Sequence, residues 1–312
     1  MAILLATNFD AAEVAAWWPE LQRALPGERL LRDRSELAAS ESIDIALVAN
    51  PPPAALAGLP GLRLIQSLWA GVDRLLADAS VPVDVPLARM VDPAMNEAMA
   101  ETALWAVLSV QREFFAYARQ QREPTWRQLP QRRADEITVA VLGLGQMGRT
   151  CAQRLAASGY RVLGWSRSET KVAGMTTFAG EAALVPVLAD ADVVVNLLPL
   201  TDATRGLFNA QTFARMRRGA ALVNLARGAH VVEADLLSAL DGQQLAHAVL
   251  DVFTVEPLPA THPFWSHPRI TVLPHVAALT DPRSAARIVA RNVAALRAGR
   301  LLENLVDRAR GY

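Results

Sequence analysis

The chain has 312 residues, enough for two domains with separate cores, and 52% of them are apolar. Its 31 basic and 31 acidic residues cancel, with no basic stripe or tail along which a nucleic acid would bind. Cys151 is the only cysteine, so neither an intrachain disulfide nor a metal cluster can be built on it, and no apolar run approaches the roughly 20 residues of a membrane span.

These features predict a cytoplasmic protein in a reducing compartment, without a metal and with neither nucleic acid nor membrane as partner. The opening Met1-Ala2-Ile3-Leu4-Leu5-Ala6-Thr7 has no basic flank and reads as a buried first strand, not a secretory leader. Apolar runs at 43–48 and 64–68 predict further strands, separated by Pro51-Pro52-Pro53. Residues 54–59 predict a short helix ended by Pro60-Gly61, and 81–86 read as irregular or a short strand. A long helix is expected over 96–121, with Ala100, Leu104, Trp105, Leu108 and Phe115 on its apolar stripe. A polar stretch over 122–133 follows, broken by Pro124 and Pro130.

From there strands predicted at 137–142, 161–164, 193–197, 221–224, 247–252 and 270–272 alternate with helices at 146–157, 181–190, 204–216 and 232–240. That rhythm is α/β and doubly wound, with a parallel sheet covered on both faces. A last helix over 282–298 stops at Gly299, and 301–306 is expected to return to the first domain. The expected division is a cofactor domain over 100–280 and a discontinuous domain made of 1–99 and 281–312. The cleft between them is the default binding site.

The strongest motif is Val139-Ala140-Val141-Leu142-Gly143-Leu144-Gly145-Gln146-Met147-Gly148, an apolar strand running into G-x-G-x-x-G. Gly143 suits the tight turn, Gly145 a close approach of the backbone to a pyrophosphate, and Gly148 the packing of the next helix on the sheet. The helix start at Gln146 and Met147 offers backbone donors and a positive end to phosphates. The next strand leads into Ser166-Arg167-Ser168, where an NAD-selective protein commonly carries Asp or Glu. A guanidinium there can pair with a 2′-phosphate, so the expected cofactor is NADPH, with NADH the weaker alternative. Arg167 as a solvated surface residue is the plainer alternative. Cys151, on the helix after the glycines, reads as a buried inert thiol.

Reduction of a ketone by a nicotinamide needs a proton donor, a cation for the neighbouring carboxylate and a group that orients the donor. Three residues follow strand-like runs: Arg227, Glu256 and His275. Each has a simpler reading, as a cap or surface cation, an acidic turn residue before Pro257, and a loop histidine. His262 and His267 follow no strand end and read as structural or surface groups; His230 and His247 are weaker candidates still.

The conjunction of Asn224-Leu225-Ala226-Arg227-Gly228, Asp251-Val252-Phe253 with Glu256-Pro257, and Pro274-His275-Val276-Ala277 resembles the D-isomer-specific 2-hydroxyacid dehydrogenases. Among these it is most similar to the short glyoxylate/hydroxypyruvate reductases of the bacterial A type. The resemblance implies a Rossmann cofactor domain beside a smaller flavodoxin-like α/β substrate domain, and a homodimer built on the long helix. It implies that Arg227 binds the substrate's carboxylate and carbonyl oxygen, that His275 is the acid in reduction, and that Glu256 holds the other imidazole nitrogen. Leu68-Trp69-Ala70-Gly71-Val72-Asp73 resembles the family's substrate loop, with backbone amides near Ala70 and Gly71 receiving the carboxylate. Trp69 would wall the pocket, or serve as a domain-core aromatic. Leu198, Pro199 and Leu200 resemble the loop beside the nucleotide. Asp251 would bind the nicotinamide carboxamide, or act as a strand-end cap. The implied substrate is a small 2-keto acid, with glyoxylate giving glycolate and hydroxypyruvate giving D-glycerate. A broader 2-keto acid range and a non-catalytic NAD(P)-binding regulator are the alternatives.

Overall fold

The computed structural model describes residues 1–312, which fold as two α/β units. The first comprises Met1–Ala94 and Thr280–Tyr312, the second Met95–Leu279. The first unit opens with β1 (Ala2–Thr7), α1 (Ala11–Ala24), β2 (Arg29–Leu31), β3 (Ile43–Ala49), β4 (Leu64–Ser67), α2 (Asp73–Ala77) and β5 (Leu87–Ala88). Its five strands are parallel in the order β2-β1-β3-β4-β5, the flavodoxin-like winding. β3 and β4 are buried along their whole length, as central parallel strands covered on both faces must be. α1 starts on a reciprocal cap, with Asp10 accepting from the Glu13 backbone and Glu13 from the Asp10 backbone, both at 2.8 Å. Residues 53–58 form turns in place of the helix expected over 54–59, in a segment with Ala54 in the left-handed region.

The second unit contains α3 (Pro93–Gln111), which starts just before its boundary, then α4 (Phe114–Arg122), β6 (Thr138–Leu142), α5 (Gln146–Ala157), β7 (Arg161–Ser166) and β8 (Thr176–Ala179). It continues with α6 (Leu184–Asp190), β9 (Val193–Asn196), α7 (Ala210–Arg215), β10 (Ala220–Asn224), α8 (Glu233–Asp241), β11 (Leu245–Leu250) and β12 (Ile270–Val272). Seven parallel strands run in the order β12-β11-β10-β9-β6-β7-β8. Strand order reverses between β6 and β9, so the crevice beyond their carboxyl ends is where such a sheet receives a ligand. Both sheet faces carry apolar cores: Ala100, Ala103 and Ala106 of α3 with Val139 and Val141 on one, Phe208, Phe213 and Leu236 with Leu222 on the other.

The helix expected over 96–121 is two helices. Glu113 takes φ +57 and turns the chain, so that Phe115 stacks on His247 with ring centroids 4.2 Å apart and planes 6° from parallel. No glycine or proline marks this break; the tertiary contact rewards it. The helix expected over 204–216 is confined to α7, because the Asn209 side chain caps it by accepting from Gln211 and Thr212, and Phe208 pairs with Val231.

The chain returns to the first unit as α9 (Pro282–Arg297), with Pro282 in its first turn and Asp281 as its cap. Arg297 forms ion pairs with Glu28 (2.8 Å) and Asp44, and Asn292 donates to Gln66 at 2.7 Å. The tail then pairs with β5, Val306 donating to the Leu87 carbonyl at 2.8 Å. No helix is long and apolar enough to cross a membrane.

Candidate active site

The glycine turn leaves β6 where strand order reverses. Gly143 sits at φ +97, and a side chain there would meet the Leu197 carbonyl at 2.7 Å. A Cβ on Gly148 would lie 1.7 Å from the Gly143 carbonyl, so α5 can pack on the turn only with hydrogen at that position. Gly145 is exposed, with open space where its side chain would stand. It precedes α5 without any side-chain cap, whereas Asp10, Asn209 and Asp281 cap their helices. The first donors of α5, near Gln146 and Met147, have no side-chain cap, and with the open space at Gly145 the residues present fit a dinucleotide pyrophosphate.

β7 ends at Ser166, whose hydroxyl donates to the Ser168 carbonyl at 2.8 Å; Arg167 and Ser168 are exposed beside it. The first carboxylate beyond the strand is Glu169, three residues past Ser166. After β9, the Leu198-Pro199-Leu200 loop is pinned by the Pro199 carbonyl, which accepts from the Thr204 hydroxyl at 2.8 Å.

Glu256 and His275 are brought together by two loops, after β11 and β12. Glu256 Oε1 accepts from the Phe253 backbone and Oε2 meets His275 Nδ1, both at 2.9 Å. The Glu256-Pro257 peptide is cis. His275 Nδ1 is thereby the protonated nitrogen facing the carboxylate, with Nε2 on the other edge of a half-exposed ring (51% exposed). His275 itself stands at φ +56, a left-handed conformation costing a non-glycine residue roughly 1–2 kcal/mol. Three bonds to one residue hold it there: His275 N–H to the Asp251 carbonyl (2.9 Å), and Val276 and Ala277 N–H to the Asp251 carboxylate (2.7 and 3.0 Å). At about 1 kcal/mol each, they outweigh the strain. Burial raises the Asp251 carboxyl above its usual range, against the two opposing backbone bonds.

Arg227 follows β10, half-buried, its guanidinium donating to the Ala226 carbonyl at 2.7 Å. A Cβ on the next residue, Gly228, would fall 1.9 Å from the Phe253 carbonyl carbon. Hydrogen at that position is what lets the Arg227 turn lie against the chain segment that leads to Glu256.

Beneath these loops is a buried polar cluster that the sequence reading passed over. Asn196 and Asn224 end adjacent strands in register, and both, with His230, are fully buried. Asn196 Nδ2 donates to Asn224 Oδ1 (2.9 Å) and contacts His230 Nδ1 (3.0 Å). The available signal was two apolar strands, Val193-Val194-Val195 and Ala221-Leu222-Val223, each closing on asparagine.

Trp69, Ala70 and Gly71 belong to the first unit, after β4. Trp69 lies edge-on to Phe9 and Trp17, with centroids 5.9 and 6.0 Å away, as part of an aromatic cluster. The Ser67 hydroxyl accepts from its N–H and donates to its carbonyl, while Ala70 and Gly71 donate no backbone hydrogen bond to the protein. Of the remaining histidines, His262 pairs with Glu233 and His267 with Asp241, each at 3.2 Å. Burial pushes the Cys151 thiol up to about 12, leaving it inert. No three His, Cys, Asp or Glu side chains converge as a metal site.

Residues 104–277 match the family model for the NAD binding domain of D-isomer specific 2-hydroxyacid dehydrogenases. The chain is 44% identical over 274 residues to a glyoxylate/hydroxypyruvate reductase A of Serratia proteamaculans (strain 568), covering 86% of this chain and 88% of that one. It is similar in structure, with a TM-score of 0.93, 40% identity and coverage of 100% and 99%, to a D-isomer specific 2-hydroxyacid dehydrogenase from Xanthobacter autotrophicus Py2 in complex with NADPH and MES. An NADPH-dependent glyoxylate/hydroxypyruvate reductase from Sinorhizobium meliloti, in complex with NADP and sulfate, gives the same TM-score at 36% identity, again covering 100% and 99%. A reversing parallel sheet, an uncapped glycine turn and a carboxylate–imidazole pair thus occur in a chain that belongs to the D-isomer specific 2-hydroxyacid dehydrogenase family, and its activity is that of an NAD(P)-dependent 2-hydroxyacid dehydrogenase.

Proposed function

We propose that this enzyme reduces small 2-keto acids, glyoxylate to glycolate and hydroxypyruvate to D-glycerate, with NADPH preferred over NADH. The observation that carries the reading is the Glu256–His275 pair, with Nδ1 engaged by the carboxylate and Nε2 left for the substrate oxygen. The reductase activity of the Serratia and Sinorhizobium relatives, and the NADPH and NADP held by the two crystal structures, support the choice of substrate and cofactor.

Bound NADPH supplies a hydride to C2 of the keto acid. Gly143, Gly145, Gln146, Met147 and Gly148 hold its pyrophosphate, and Leu198, Pro199 and Leu200 flank it. Ser166, Arg167 and Ser168 take its 2′-phosphate, with which the guanidinium makes charge-assisted bonds. Arg227 binds the substrate's carboxylate and carbonyl oxygen, and the backbone donors of Ala70 and Gly71 also receive the carboxylate. His275 gives its Nε2 proton to the developing alkoxide, while Glu256 stabilises the imidazolium form and fixes the ring. The guanidinium and imidazolium together stabilise the negative oxygen of the transition state. Trp69 limits side-chain bulk. Asp251 positions His275 and, in the same reading, would hold the nicotinamide carboxamide. We further propose a homodimer formed through α3, α4 and the following segment, where Trp105, Leu108, Phe114 and Trp126 are exposed.

A steady-state matrix of NADPH and NADH against glyoxylate, hydroxypyruvate, pyruvate and a bulkier 2-keto acid tests the reading. The expected result is highest kcat/KM for the two small substrates with NADPH. Arg167→Ala should raise KM for NADPH much more than for NADH. A clear preference for NADH, or for the bulky acid, would defeat it.

A further inference from the structure

Adjacent strands β9 and β10 end in Asn196 and Asn224, paired in register, and His230 packs against them with all three side chains shut off from water. The donor directions in this cluster follow from one bond. Leu198 N–H donates to Asn196 Oδ1 at 3.3 Å, which orients the amide. Its Nδ2 must then supply protons to Asn224 Oδ1 (2.9 Å) and to His230 Nδ1 (3.0 Å). His230 Nδ1 is an acceptor, so the ring proton is on Nε2, which donates to the Pro199 carbonyl at 3.3 Å. On the other side, Asn224 Oδ1 accepts from Ala226 N–H (3.3 Å), and its Nδ2 donates to the Arg227 carbonyl (2.9 Å). The His230 backbone N–H donates to that same carbonyl at 3.2 Å. The network therefore runs from Leu198 and Pro199, beside the dinucleotide site, to the turn that carries Arg227.

We propose that His230 is a positioning residue, a neutral imidazole that locks the 198–200 loop to the Arg227 turn so that cofactor and keto-acid binding are energetically coupled. The proposal rests on the assignment of those two loops to cofactor and substrate made above. No buried side-chain nitrogen or oxygen lacks a partner. Shifting either loop alone would strand a buried polar group, at a cost larger than the net worth of the bond itself. Protonating Nδ1 would set it against the Asn196 donor, so the ring stays neutral. Order imposed on the 198–200 loop by the dinucleotide is passed to Arg227 through this cluster, and linkage makes the effect reciprocal.

The test is the affinity for NADPH, read by fluorescence titration with and without oxamate, a carboxylate with an adjacent carbonyl that is not reduced. Wild type should bind NADPH at least about fivefold more tightly when oxamate is saturating. His230→Gln, whose amide can accept from Asn196 and donate to Pro199, should retain most of that factor. His230→Leu should lose it and raise KM for glyoxylate with a smaller change in kcat. Nitrogen NMR of histidine-labelled wild type should show one ring protonated only on Nε2 and not titrating between pH 5 and 9, which tests the network even if the leucine variant fails to fold. Full coupling in a folded His230→Leu, a wild type whose NADPH affinity ignores oxamate, or His230 titrating near neutrality would each overturn the proposal. Oxamate tightening NADPH binding in an enzyme that turns over no 2-keto acid would defeat the substrate assignment and leave the coupling standing.

Discussion

At the scale of single residues, the chemistry is set by which atom of each side chain is already engaged. His275 has one nitrogen on Glu256 and a left-handed backbone held by the three Asp251 contacts. His275→Ala is expected to lower kcat/KM for glyoxylate by about 10²–10⁴-fold with NADPH affinity retained, the usual contribution of a general acid. Asp251→Asn should cost most of that activity too, since Val276 and Ala277 donate to different carboxylate oxygens and an amide would set its NH2 against one of those N–H donors. Stopped-flow and fluorescence titration on the two variants would measure this; a His275→Ala protein with near wild-type kcat would require another acid. Glu256 and His275 were legible as candidates because each follows a strand and stands in a distinctive motif. The Asn196–Asn224–His230 cluster was not: Asn224 stood only as the start of the Arg227 motif and His230 as a weak candidate, because asparagine at a strand end and a lone histidine are unremarkable until the register of two strands makes them neighbours.

Elements show the same contrast. α5 was readable because an apolar run, a glycine turn and a periodic segment all agree locally, and it occupies Gln146–Ala157. The break between α3 and α4 has no local signal; it exists so that Phe115 can cover His247, which also contacts the Thr271 hydroxyl at 2.9 Å. Burial pushes the His247 imidazole down to about 3 from its ordinary 6.5, helped by Arg119, His267 and Arg269. The unfolded chain then binds a proton that the folded one refuses between those values. This contribution to stability is complete above pH 6.5 and falls as pH drops towards 3, by up to about 1.4 kcal/mol per unit. Between pH 7 and pH 5 the loss is about 2 kcal/mol. His247→Gln should flatten that dependence in urea unfolding followed by circular dichroism, and an unchanged acid slope would remove the assignment.

For the whole molecule, the exposed aromatics of the second unit stand out. Trp126 is 98% exposed and Phe114 49%, in a segment held to the sheet by Arg132 and Asp192 at 2.8 Å. Burying such a side chain contributes roughly 1.5–3 kcal/mol, so two copies related by symmetry gain twice over from one contact. Sedimentation equilibrium should give a dimer at micromolar concentration, and Trp126→Ser should move it towards monomer. A wild-type monomer under those conditions would reject the homodimer.

The sequence by itself determined the alternation of strands and helices in the second unit apart from β8, the two sheets' buried centres, the glycine turn and the family, because apolar period and glycine placement act over a few residues; α1 and β2 of the first unit were not read from it. Only the tertiary structure decided the strand order, the bend at Glu113, the Gly228 approach to Phe253 and the buried Asn196–Asn224–His230 cluster. Those depend on which distant segments become neighbours, and on hydrogen bonds and contact distances that no local pattern encodes.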